Sequence, residues 1–269
     1  MKILFIGDVF GKPGRQAVAE ALPRWREKHK SDFVIANAEN SAHGTGTSPK
    51  ALDELQAAGV DAFTMGDHFA DNDFAKVADD YPLVRPLNAD TKLGEGVGVF
   101  ETALHRKVAV INLLGSAFLK NGGRNFFLAI DEALGNPELT KVDACLVDFH
   151  AEVTSEKTAL AHHLDGRVSA LVGTHTHVPT ADTRVLPKGT AYQTDVGMCG
   201  ALESAIGAPF TDVIPWLREE MGETGPAAQR GRRTGPADTP PLICDAVLIE
   251  TTGPTGAKAI TRLSTRPQA

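Results

Sequence analysis

Cysteine is scarce and scattered in this chain: Cys145, Cys199 and Cys244 are the only three in 269 residues, and no two form a Cys-x-x-Cys pair. An odd, widely spaced set excludes a disulfide framework and fits a reducing compartment, so the cytoplasm is the expected location. Long apolar runs are absent too. No segment approaches the ~18 consecutive apolar residues of a membrane span. The first run, Ile3-Leu4-Phe5-Ile6, is shorter than a signal h-region and ends at Gly7-Asp8, so it reads as a strand and not a leader. Positive charge is in deficit, with 27 Lys and Arg against 34 Asp and Glu, a net charge of −7. That deficit argues against a long nucleic-acid groove, which needs clustered cations. Small anionic substrates remain compatible if metal ions supply the positive charge. The one basic cluster, Arg230-Gly231-Arg232-Arg233, falls in a Gly-, Pro-, Thr- and Ala-rich stretch over 222–241 that reads as a surface loop. No internal repeat is visible.

What is present is an ordinary globular composition, 42% hydrophobic and 23% charged, large enough for a sizeable core. Strand-like and helix-like segments alternate up to about residue 200, which predicts an α/β fold and a single domain over 1–269. Ala17, Val18, Leu22 and Trp25 give one face of a helix from about Gly14 to Lys28, with Pro13 near its start. Ser48 as cap, Pro49 at the first helical position, Leu52 and Leu55 inward and Gly59 as terminator predict a second helix. Runs at Ala246–Ile249 and Lys258–Leu263 flank Thr252-Gly253-Pro254-Thr255-Gly256, the pattern of a hairpin. With Arg184-Val185-Leu186 and Ala191-Tyr192-Gln193, this hairpin is expected to build a second, mixed sheet.

The most informative pattern is a metal-ligand side chain placed just after one apolar run after another. The segments are Gly7-Asp8, Asn37-Ala38-Glu39-Asn40, Gly66-Asp67-His68, Phe149-His150, Gly173-Thr174-His175-Thr176-His177 and, more weakly, Thr194-Asp195. Loops at the carboxyl ends of parallel strands converge on one crevice, so these segments predict one site. Carboxylate, amide and imidazole together suit Fe, Mn or Zn better than Mg or Ca. Six or seven such ligands exceed the need of one ion. Two ions clamping both oxygens of a phosphoryl displacement would use them all, and the predicted reaction is phosphoester hydrolysis.

The order of these motifs resembles the calcineurin-like metallophosphoesterases, in particular the subgroup typified by the bacterial YmdB-type phosphodiesterases. Ile6-Gly7-Asp8-Val9-Phe10-Gly11-Lys12-Pro13-Gly14-Arg15, Ala38-Glu39-Asn40, Gly173-Thr174-His175-Thr176-His177 and Thr194-Asp195-Val196-Gly197-Met198 carry the resemblance, and nearly the whole chain takes part. It implies a four-layer α/β/β/α sandwich with mixed sheets. It also implies Asp8, Asn40 and His177 on one metal, Asp67, His150 and His175 on the other, and Glu39 bridging both. Superfamily relatives begin with Asp-x-His, whereas Phe10 stands at that histidine position here, so Asn40 is expected to supply the missing ligand. His68 matches the histidine that protonates the leaving oxygen, after attack by a metal-bridging hydroxide. The implied substrate is a small phosphoester, a 2′,3′-cyclic nucleotide such as cyclic AMP, and a homo-oligomer is expected.

One position departs from the family pattern: its Gly-Asn-His is Gly66-Asp67-His68 here. With Asp8, Glu39 and Asp67 ionised, roughly three ligand charges plus hydroxide cancel two divalent cations. Asp67 is therefore expected to favour a mixed-valence or ferric ion, or else to slow turnover on anionic substrates.

Simpler roles exist for each residue. Asp8 could cap a helix, Glu39-Asn40 could form a turn, and His150 could be a packed core histidine. Asp195 is expected to support a ligand and Cys199 to be a buried inert thiol; for Asn112 and Ser116, near Gly115, the sequence does not decide whether they touch substrate. His29, His43, His105, His162 and His163 lack strand-end placement and are expected on the surface or in packing roles. The rival functions are a phosphomonoesterase of broad specificity and a metal-bound regulatory protein with little catalysis. A mononuclear amidohydrolase is disfavoured, because its His-x-His follows the first strand.

Overall fold

A computed structural model describes residues 1–72, 74–119, 124–222 and 235–267. The basic cluster Arg230–Arg233 and most of the 222–241 loop lie outside the described residues. In chain order the elements are β1 (Lys2–Ile6), β2 (Asp8–Val9), α1 (Gly11–His29), β3 (Phe33–Asn37), α2 (Pro49–Ala58), β4 (Ala62–Thr64), α3 (Phe74–Val77) and β5 (Leu83–Val84). They continue with β6 (Val97–Glu101), β7 (Lys107–Leu114), α4 (Phe126–Leu134), β8 (Ala144–His150), α5 (Thr154–His163) and β9 (Ala170–Thr174). The last are β10 (Arg184–Val185), β11 (Ala191–Gln193), β12 (Met198–Ala201), α6 (Phe210–Glu220), β13 (Leu242–Gly253) and β14 (Gly256–Ser264).

Two mixed sheets face each other. The first runs β2-β12-β13-β1-β3-β4-β5 with β14 added on β13, and the second runs β10-β11-β9-β8-β7-β6. Period-two alternation in the strands builds three cores. Ile3, Phe5, Phe33 and Ile35 meet Val108, Val110, Leu146 and Val172 between the sheets. Leu4, Ile6, Val34 and Ala36 point the other way, against Val18, Leu22, Leu52 and Leu55 of α1 and α2. Ala109, Ile111, Val147 and Phe149 likewise cover α4 and α5 through Ala129, Ile130 and Leu160. The result is the four-layer α/β/β/α sandwich that the motif order implied.

The helix signals are used as read. The Ser48 side chain accepts the Ala51 N–H, Pro49 opens α2, and Gly59 closes it at φ 108°. Helix α1 starts three residues earlier than the apolar spacing suggested, because Pro13 falls within its first turn, where a missing N–H is harmless.

The terminal hairpin forms but sits elsewhere than expected. Strand β13 pairs antiparallel with β1 and β14 in the first sheet, while β10 and β11 belong to the second. Strand β1 takes β3 on one edge and needs a partner on the other, and β13 fills it. Past Ile6 the chain turns away, and β12 inserts between β2 and β13. Gly7 permits this turn, since a Cβ there would lie 2.0 Å from the Gly197 carbonyl oxygen. Asp8 is thereby aimed at the strand ends. No helix among the described residues is long and apolar enough to cross a membrane.

Candidate metal centre

At the carboxyl ends of the strands, the apolar layer between the sheets gives way to polar residues on the same face. Asn37, Thr64, Asn112, Asp148, His150 and Thr174 are all buried there. Burying so many polar groups is tolerable only if each is satisfied. Asp148 accepts from Thr64 Oγ1 at 2.6 Å, Thr174 Oγ1 at 2.7 Å and Asn37 Nδ2 at 3.0 Å. Asn112 accepts the Met65 N–H and donates to the Asp148 carbonyl, tying the two sheets together. This polar floor carries the site.

Above it, the strand-end residues converge from both sheets. Glu39, Asp67, His150 and His175 form one group and Asp8, Glu39 and His177 another, with the donor atoms of each group within 4.8 Å of one another. Glu39 is common to both. His150 Nε2 lies 3.2 Å from Glu39 Oε1, 3.4 Å from Asp67 Oδ1 and 2.9 Å from His175 Nδ1. His177 Nε2 lies 3.1 Å from Asn40 Oδ1 and 3.9 Å from Asp8 Oδ1.

Hydrogen bonds on the outer side fix which atoms face inward. Thr174 gives its proton to Asp148, so it can only accept from His150 Nδ1 at 2.9 Å. His150 Nε2 is then the nitrogen that faces the cluster. His177 Nδ1–H donates to the Ile206 carbonyl at 2.8 Å, leaving its Nε2 inward as well. Asn40 Nδ2 donates to the Gly44 carbonyl, which turns its oxygen toward His177. The two acceptor atoms, His177 Nε2 and Asn40 Oδ1, therefore face each other with no proton between them. Asp8 Oδ1 is buried with no hydrogen-bond partner among the described residues. Converging lone pairs of this kind repel unless a cation lies among them, and the N/O donor set suits a transition metal.

The backbone is shaped for the same purpose. His175 and His177 both have left-handed backbones, at φ 100° and φ 64°. Such strain persists where the surroundings over-determine it, as they do at ligand clamps. Lys157 and Asp195, both fully buried, pin the loop. Lys157 Nζ donates to the Thr174 carbonyl and to Asp195 Oδ2, and Asp195 accepts the Thr176 and Gly197 N–H groups. Gly66 leaves room beside Glu39: a Cβ there would lie 2.0 Å from Glu39 Oε2 and 2.4 Å from His150 Nε2.

Proton affinities follow from the crowding of charge. Burial raises Asp8 well above the usual carboxylate range, only partly offset by His150. Burial would lower His150, but Glu39, Asp67 and Asp8 outweigh it and raise the imidazole well above its ordinary value. Against burial, the hydrogen bond and charge of His150 pull Asp67 down to about 2. Burial, then the neighbouring His150, lowers His175 to about 4. His175 and His177 are thus neutral at pH 7, the form in which imidazole binds metal.

A cavity of about 280 Å³ opens over the cluster, with Phe10, Asn40, His68, Glu152, His177 and Ile206 in its wall. Phe10 packs edge-on against His177, with ring centroids 5.6 Å apart, and a Cβ on Gly207 would lie 2.5 Å from its ring. His68 is one-third exposed and its Nδ1 is 2.8 Å from Asp71 Oδ2. Its backbone N–H donates to Glu39 Oε2.

The structure thus brings together Asp8, Glu39, Asn40, Asp67, His68, His150, His175 and His177 at one crevice, with the strands drawn from two facing sheets and not from one. Asp195 holds the loop from behind. Asn112 and Ser116 are turned to internal bonds, Ser116 to Glu156, so neither is left for substrate. His43 is exposed and does not line the cavity. Sequence reasoning missed Asp148, Lys157 and Glu152. Asp148 had a legible signal, because it stands two residues before His150 on the same face of β8.

A two-sheet sandwich with this cluster at its strand ends is a calcineurin-like metallophosphoesterase. The chain belongs to the YmdB-like protein family, whose model matches residues 4–261. A 2′,3′-cyclic-nucleotide 2′-phosphodiesterase of Bacillus subtilis (strain 168) is 48% identical over 224 residues, spanning 82% of this chain and 84% of that protein. Two solved structures superpose with a TM-score of 0.85 at 38% identity and cover 98% of this chain. One is a hypothetical protein of Thermus thermophilus, of which 98% is covered, and the other a novel phosphatase of Mycoplasma pneumoniae, of which 92% is covered.

Proposed function

We propose that this protein is a dinuclear metal-dependent phosphodiesterase acting on 2′,3′-cyclic nucleotides such as cyclic AMP. The observation that carries the reading is the pair of donor groups sharing Glu39, with the inward atoms fixed by outer hydrogen bonds. Asp8, Asn40 and His177 would hold one ion, Asp67, His150 and His175 the other, and Glu39 both. Bound Fe or Mn would supply Lewis-acid polarisation of the phosphoryl group and a nucleophile drawn from water.

The remaining work falls to the chain. His68 lies at the cavity wall beside the cluster and protonates the departing alkoxide. Asp71 accepts the His68 Nδ1–H, which turns Nε2 toward substrate, and the proton delivered to the alkoxide is the second proton of the imidazolium, carried on Nε2. Phe10, Ile206, Ala205 and Ala208 give the cavity an apolar side suited to a nucleoside. No Lys or Arg among the described residues lines it, which suits a singly charged diester over a doubly charged monoester. Phosphomonoester hydrolysis is the second reading, favoured by the resemblance to a structure described as a phosphatase.

The same reading includes a single domain over 1–269, supported by β1 and β13 pairing in one sheet from opposite ends of the chain. It includes a homo-oligomer, supported by the exposed Phe210, Ile214 and Leu217 of α6, and a cytoplasmic location, supported by three free cysteines. The test is hydrolysis of 2′,3′-cyclic AMP by Mn- or Fe-reconstituted protein beside His68→Ala. Turnover that is lost in the variant while metal content persists supports the reading. No turnover with either metal overturns it.

A further inference from the structure

Glu152 stands at the centre without a place in the ligand set or the acid role. Its Oε2 is 3.2 Å from His175 Nε2, and half of its side chain is exposed. It lines the same cavity as His68 and His177. A carboxylate beside Nε2 favours the tautomer with the proton on that nitrogen. His175 Nδ1 is then the lone pair directed at His150 Nε2, 2.9 Å away. Among the described lining residues the only carboxylates are Glu39, buried inside the cluster, and Glu152, at the mouth. Glu152 therefore sets the charge that an incoming phosphoester meets first.

We propose that Glu152 is a positioning and specificity-determining residue: it orients His175 for metal binding and selects singly charged phosphodiesters over doubly charged monoesters. The inference rests on the phosphoesterase reading above and deepens it. A fixed negative charge at the rim repels a dianion about twice as strongly as a monoanion. At separations of several ångströms in a partly solvated mouth, one unit of charge is worth roughly a three- to tenfold difference in binding. The two roles separate by substitution. Glu152→Gln removes the charge and keeps an oxygen to accept the His175 N–H, whereas Glu152→Ala removes both.

The experiment compares kcat and KM for bis(p-nitrophenyl) phosphate and p-nitrophenyl phosphate at pH 8, where the monoester is a dianion. It is run on Mn-loaded full-length protein and both variants, with Mn affinity measured by chelator competition. Both variants are expected to raise the monoester-to-diester ratio of kcat/KM about three- to tenfold, mainly through KM. Only Glu152→Ala is expected to weaken Mn binding, by about tenfold, the lower end for losing a partner of a metal-bound histidine. An unchanged ratio in both variants overturns the selection role. Unchanged Mn affinity in Glu152→Ala overturns the positioning role. If the wild type cleaves neither ester and does not cleave 2′,3′-cyclic AMP, the phosphoesterase reading fails by itself. Calorimetric binding of inorganic phosphate against dimethyl phosphate then decides charge selection without turnover: a preference for the monoanion that is lost in Glu152→Gln sustains it, and no such loss overturns it.

Discussion

Replacing Lys157 by methionine tests how the His-x-His loop is held. Lys157 and Asp195 are both fully buried with an Nζ–Oδ2 distance of 2.9 Å. Methionine fills most of the volume but leaves the Asp195 carboxylate buried without its cation. Breaking one side of a buried ion pair costs about 3–5 kcal/mol, because the remaining charge is uncompensated. At about 2–4 °C per kcal/mol for a chain of comparable size, the melting temperature should fall by roughly 6–20 °C. Adding Asp195→Asn removes that stranded charge, so the double variant should be more stable than Lys157→Met alone. The assay is thermal unfolding by circular dichroism in chelator, where metal binding cannot mask the difference. Lys157→Met within about 1 kcal/mol of wild type, or strict additivity in the double variant, would show that the buried pair does not hold the loop. Mn affinity should fall in the single variant too, since Asp195 also holds the Thr176 N–H between the two left-handed histidines.

Gly66→Ala places a methyl group against Glu39 and His150 and should cut Mn affinity at least tenfold while costing about 1–3 kcal/mol of stability, read by chelator competition and thermal unfolding. Asp67→Asn should shift metal content away from iron and raise turnover on anionic substrates; unchanged iron content and unchanged rate would remove the charge-balance argument. In metal-free protein the raised His150 contributes stability that is fully present below its unfolded value near 6.5 and is lost as pH climbs through its folded value. Asp8, also raised, acts in the same direction, its share being lost as pH climbs from its unfolded value of about 3.9. Metal binding displaces the His150 proton, so the rise in melting temperature on adding Mn should grow between pH 6 and pH 8, and a pH-independent increment would contradict this.

The strand-end ligands were legible because each follows an apolar run, and period-two alternation puts Asp8, Glu39, His150 and His175 at one edge whatever the sheet. The sheet order was not. An apolar hairpin at 242–264 reads the same whether it joins β1 or β11, and only the vacant edge of β1 decides. Lys157 gave no local signal, since α5 carries no continuous apolar stripe and its burial depends on the loop that it supports. Cys199 and Cys244 are 45 residues apart, yet β12 and β13 set them opposite each other with sulfurs 3.0 Å apart. That pairing follows from the turn at Gly7 and from no cysteine spacing. Glu152 reads as an ordinary loop acid until His175 Nε2 is found beside it.

Whether two metal ions share Glu39 decides the whole functional reading. Crystals of Mn-loaded protein, measured at the manganese absorption edge, answer this through anomalous difference density. Two peaks are expected, one near Asp8, Asn40 and His177 and one near Asp67, His150 and His175, with Glu39 between them. A single peak, or density away from Glu39, would contradict the dinuclear centre.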